Sequence, residues 1–142
     1  MSVQHFAMPD FLNDALSSQV PPIELLRQAE ADLAQATKGR VQGTVLTLNP
    51  GGSSLFRHTF YLFVPELSDY TYTLFYVWHG PELYPANLLV AGGDQDSDTR
   101  LCPTEQDLRR EIETGFQSDH TRQLVRALLV QIDSRNVAGS TP

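Results

Sequence analysis

Residues 40–91 limit this chain more than any other stretch, because aromatic and β-branched side chains crowd there between strong turn signals. Tyr70-Thr71-Tyr72-Thr73-Leu74-Phe75-Tyr76-Val77-Trp78 lies inside it, a composition that suits a pleated, half-buried surface. Asn49-Pro50-Gly51-Gly52, Pro65 to Asp69 and Gly80-Pro81 divide the stretch into four runs: Arg40 to Leu48, Ser54 to Val64, Tyr70 to Trp78 and Leu83 to Ala91. Connections this short join antiparallel neighbours in sequence order. Pro85 has no backbone donor, so the fourth run is expected at a sheet edge or bulged there.

Helical periodicity flanks this meander. Pro22 suits a first helical position, where its missing N–H costs nothing. Ile23, Leu26, Ala29, Leu33 and Ala36 then share one face, and Gly39 is a natural stop. The spacing predicts a helix from Pro22 to Lys38. Upstream, Phe11, Leu12, Ala15 and Leu16 follow Pro9-Asp10, so residues 1–20 read as a flexible arm or a short helix. Downstream, residues 92–103 read as a polar loop. Thr104 can cap a helix by accepting from the N–H of Asp107. Leu108, Ile112 and Phe116 give that helix a face, Ser118 caps a second one through Gln131, and 134–142 reads as a frayed tail. The expected fold is a single α+β domain over 1–142: an N-terminal helix, a four-stranded antiparallel β-meander and two C-terminal helices.

Strand alternation then raises the question of what covers the sheet. With turns centred on their Gly and Pro residues, one face carries Leu46, Leu48, Phe56, His58, Phe60, Leu62, Tyr72, Leu74, Tyr76 and Trp78. The other carries Val41, Val45, Leu55, Arg57, Tyr61, Phe63, Phe75, Val77, Tyr84 and Leu88. Neither face is polar, although a sheet with one wet side should alternate cleanly. Either helices cover both faces, or one face is left for another chain. Tyr61, Tyr70, Tyr72, Tyr76, Trp78 and Tyr84 are the candidate partner-binding residues, since such rings combine large contact area with a polar tip.

Charge and composition narrow the function classes. A formal net charge of -7 repels nucleic-acid phosphates and suits a basic protein partner. Cys102 is the single cysteine, so no internal disulfide forms, which fits a reducing, cytoplasmic setting. No apolar run approaches the roughly 20 residues that span a bilayer, and no signal-peptide pattern opens the chain. No membrane association and no cofactor are expected.

Motifs for chemistry are weak. Asp94, Asp96, Asp98 and Glu105 match positions 1, 3, 5 and 12 of a calcium-binding EF-hand loop. However, Thr99 stands where the turn needs glycine, Pro103 falls inside the loop, and a strand rather than a helix precedes it. A solvated acidic loop before a capped helix is the favoured reading. His5, His58, His79 and His120 show no metal-ligand spacing, and counting across the hairpin sets His58 opposite Tyr76. Cys102 lies near a helix start, which can activate a thiol, but its acidic surroundings oppose that. The serines lack a nucleophile elbow, GxSxG.

Small size, acidic charge and an α+β make-up resemble those of bacterial secretion chaperones and toxin-immunity proteins. No motif carries that resemblance, and no residue role is transferred from it. The expected function is a non-enzymatic, protein-binding module of the chaperone, adaptor or immunity kind, with homodimerisation through an aromatic sheet face as one form. The alternative is a small enzyme or ligand-binding domain with a pocket between the sheet and the C-terminal helices, where His58, Tyr76, His79 and Cys102 would supply the polar groups.

Overall fold

Pro22 opens a helix as its sequence position implies, and the chain leaves that helix through left-handed Lys38 (φ 55°) and Gly39 (φ 77°). The structure, a computed structural model, describes residues 5–16, 19–49, 54–91 and 99–139. In chain order the helices are α1 (Phe11–Leu16), α2 (Pro22–Ala36), α3 (Glu105–Gln117) and α4 (Asp119–Gly139). The strands are β1 (Gln42–Leu48), β2 (Phe56–Val64), β3 (Tyr70–His79), β4 (Ala86–Val90) and β5 (Thr99–Cys102). A 3-10 turn, Pro65–Leu67, links β2 to β3. All five strands form one antiparallel sheet in the order β1-β2-β3-β4-β5. Among the described residues no helix is long and apolar enough to cross a membrane.

The fold is thus α+β with an antiparallel meander, but the sheet has five strands rather than four. The fifth lies where the sequence reads as loop. It is only four residues long, and Cys102 anchors it by pairing with Ala86, both fully buried. β4 begins after Pro85 rather than at Leu83, since Pro85 has no N–H to donate to a ladder. The expected tail is helical as far as Gly139, with no proline or glycine before it to break α4. Arg40 pairs with Asp133 at 2.7 Å and Arg135 donates to Ser68 at 3.1 Å, which hold that helix against the domain.

Helices α2, α3 and α4 pack on one face of the sheet. That face presents Val45, Phe60, Leu62, Phe75, Val77 and Leu88 to the core. Phe60 and Phe75 stack at 5.0 Å between centroids, and Phe116 of α3 meets both edge-on. Gly43 sits on this face because a Cβ there would overlap the Phe60 ring.

The faces differ from those read off the alternation. The ladder slips between Phe60 and Tyr61, leaving Leu74 as an extra residue on β3. Leu74 and Phe75 are consequently both buried, at 2% and 1% exposure. This bulge exchanges the faces of the second half of β3, so Phe75 and Val77 turn inward while Tyr76 and Trp78 turn outward. His58 accordingly stands opposite Val77 rather than Tyr76. On β1, Leu46 and Leu48 lie outside, each 49% exposed.

Candidate functional site

Among the described residues no helix packs on the other side of the sheet, which carries a row of large apolar and aromatic side chains. β2 places Arg57, Thr59, Tyr61 and Phe63 on it, and β3 adds Tyr76 and Trp78 beyond the bulge. β1 contributes Leu46 and Leu48, β4 contributes Leu89 and β5 contributes Leu101, which is 63% exposed. Arg57 lies over the Tyr76 ring, 4.5 Å from its centroid, so the guanidinium partly covers the aromatic face and supplies its cation. Leu55, Arg57, Tyr76, Trp78 and Leu89 surround a shallow hollow of about 400 Å³. Tyr61, Tyr76 and Trp78 therefore share one surface.

The other three candidate rings do not join them. Tyr70 stands opposite core-facing Val64 and is 41% exposed at the sheet margin. The hydroxyl of Tyr72 lies 3.2 Å from Nε2 of His120, tying β3 to the start of α4. Tyr84 donates its hydroxyl proton to the carbonyl of Val20 at 2.7 Å. Burial, then the negative charge of Glu105, pushes its pKa up to about 12, so it remains a donor.

A second concavity lies between α2 and the α3–α4 pair. It encloses about 750 Å³, with a floor of Ala29, Leu33, Ile112, Phe116, Val125 and Leu129. Its rim is charged: Asp32 and Glu113 stand on α2 and α3, Arg122 and Arg126 one turn apart on α4. Arg109 is engaged by Gln28 at 3.2 Å and Glu105 at 3.7 Å. Arg122 and Arg126 have no carboxylate within 4.0 Å among the described residues. Sequence reasoning missed this cleft, because it arises from the spacing between helices and not from any local pattern.

The alternative polar set is not brought together. His58 and His79 meet inside the core with their Nε2 atoms 2.9 Å apart. Nδ1 of His79 faces the carbonyl of Gly80 at 2.7 Å, an acceptor only, so it carries the proton. His79 Nε2 then accepts from His58 Nε2–H, and His58 Nδ1 accepts from the Thr47 hydroxyl at 2.8 Å. This tautomer pattern, inferred from the bonds, satisfies every ring nitrogen with both imidazoles neutral. Burial, then the charge His79 would carry, lowers His58 to about 4. Tyr76 lies on the opposite side of the sheet from this pair, and Cys102 is two strands away, across Ala86.

Cys102 is fully buried, and its Sγ–H contacts the carbonyl of Arg100 at 3.7 Å. Burial, then Glu111 and Asp107, raises its pKa to about 11, so it is a protonated packing residue at neutral pH rather than a nucleophile. The calcium reading falls mostly on Asp94, Asp96 and Asp98, which lie outside the described residues. Glu105 itself accepts from the N–H of Val20 at 3.1 Å through Oε1 and approaches Arg109 through Oε2. No cluster of three histidine, cysteine or acidic side chains placed to hold a metal occurs among the described residues. No family model matches the chain, and neither a curated protein nor a solved structure is similar enough to count as a match.

Proposed function

We propose that this chain is a non-enzymatic protein-binding module whose partner docks on the open face of the sheet. One observation carries the reading: the helices cover a single face, and the other displays Tyr61, Tyr76, Trp78, Leu46, Leu48 and Leu101 together. Contiguous apolar surface of this kind on a monomer marks an interaction site. Tyrosine and tryptophan concentrate binding energy because they bury much area at little entropic cost. The net charge of -7 favours a partner with a basic rim around an apolar centre. That partner is another protein or, in the homodimeric form, the same face of a second copy.

Trp78 is the chain's only tryptophan and lies on this surface, so it reports directly on occupancy. Its emission is expected to shift to the blue when the face is covered by a partner or by self-association. A Trp78→Ala chain recovered from its native cells by crosslinking should lose the partner that the wild type retains, while folding as before. Emission that stays red-shifted with and without native extract, together with identical crosslinked species for both chains, would end this reading.

A further inference from the structure

The N-terminal arm carries four large apolar side chains that stand exposed. Phe6 is 86% exposed, Met8 68%, Phe11 62% and Leu12 84%. These side chains fall within a few residues of one another, whereas exposed apolar residues are normally scattered singly. The arm also carries Asp10 and Asp14, and Asp10 caps α1 by accepting from the N–H of Asn13 at 3.3 Å. Across the molecule, the interhelical cleft offers an apolar floor, and on its wall Arg122 and Arg126 have no carboxylate within 4.0 Å among the described residues. Asp32 and Glu113 stand on the α2 and α3 sides of the rim, so the basic side is that of α4, and an acidic, apolar segment complements that side together with the apolar floor.

We propose that the cleft between α2 and the α3–α4 pair receives the N-terminal arm, residues 5–16, of a second copy of this chain, exchanged reciprocally. Phe11 and Leu12 enter the floor beside Ala29 and Phe116, and the arm's carboxylates face Arg122 and Arg126. The backbone leading into α2 favours a neighbour's cleft over the chain's own. Val20 and Pro21 each precede a proline and are held extended, with Pro21 at φ -68°, ψ 153°. Val20 is further fixed by its bonds to Glu105 and Tyr84. Residues 19–21 therefore do not themselves turn the chain back towards its own cleft.

Sedimentation velocity of the full chain across the micromolar range tests this. The wild type should be a dimer, and Phe11→Asp/Leu12→Asp should weaken it by about tenfold or more. Both side chains are exposed in the single chain, so circular dichroism should show that fold intact. Ala29→Trp, which fills the cleft, should do the same. Arg126→Glu, an exposed change, serves as the cleft variant if Ala29→Trp folds poorly. Mixing the arm variant with a cleft variant should restore a heterodimer, since one intact arm then meets one intact cleft. A monomeric wild type, a dimer indifferent to the arm substitutions, or a mixture that stays monomeric would each overturn the proposal. Trp78→Ala should leave this association unchanged, which separates it from docking on the sheet face.

Discussion

At the scale of single residues, the His58–His79 pair shows how a buried polar contact can be satisfied and still be vulnerable. With both rings neutral, the chain of bonds from Thr47 to Gly80 leaves no ring nitrogen unpaired. A further proton on His79 Nε2 would point two N–H groups at each other across 2.9 Å, and one on His58 Nδ1 would reverse the Thr47 bond and place a cation in the core. His58 is held near pKa 4 in the folded chain against 6.5 when unfolded, so the unfolded state binds protons more readily. The pair's contribution is therefore fully present above about pH 6.5 and is lost as pH falls towards 4. A shift of this size corresponds to about 3 kcal/mol. Thermal unfolding followed by circular dichroism should show a midpoint that is level above pH 7 and falls between pH 6.5 and 4. A His58→Phe chain should lose much of that slope, although its midpoint at pH 7 should be lower, because His79 Nε2 loses its donor.

At the scale of elements, the bulge on β3 decides which rings the domain hides. Had β3 kept its register with β2 through Leu74, then Leu74, Tyr76 and Trp78 would face the core and Phe75 and Val77 would face out. The core on the helix side is filled tightly enough that Gly43 of β1 admits no side chain over Phe60. Gly43→Ala must displace that ring from its stack with Phe75 and its edge contact with Phe116. Overpacking of this type should cost about 1–3 kcal/mol, read as a lower urea midpoint with an unchanged slope. By contrast, the start of α3 behaves as its sequence predicts: the Thr104 hydroxyl accepts from the N–H of Asp107 at 3.2 Å.

At the scale of the whole molecule, the domain is one-sided: a sheet with helices packed on a single face. Its two faces should respond oppositely to substitution. Leu88→Ala, at a site 1% exposed among the helices' contacts, should cost about 2–5 kcal/mol. Leu46→Lys and Leu101→Lys, on the open face, should change stability by no more than about 0.5 kcal/mol. If the open face is the docking surface, these two changes should weaken partner capture while leaving the unfolding midpoint in place. Both halves are measurable on the same purified chains, by chemical denaturation and by quantitative crosslinking.

Local chemistry alone was enough to specify several parts of this protein. The helix after Pro22, the cap at Thr104, the aromatic strand from Tyr70 to Trp78 and the antiparallel order of the meander all follow from turn residues and side-chain period, which act over a few positions. Only the tertiary structure could decide the rest, because it depends on partners distant in sequence. Thr99 to Cys102 become a strand only because Cys102 meets Ala86 of β4, and Tyr76 faces outward only because β3 slips one residue against β2. The meeting of His58 with His79 and the gap between α2 and α4 are likewise products of packing. A strand's sequence shows that its side chains alternate; where the ladder slips, and so which side meets the helices, is set when neighbouring strands and helices close on one another.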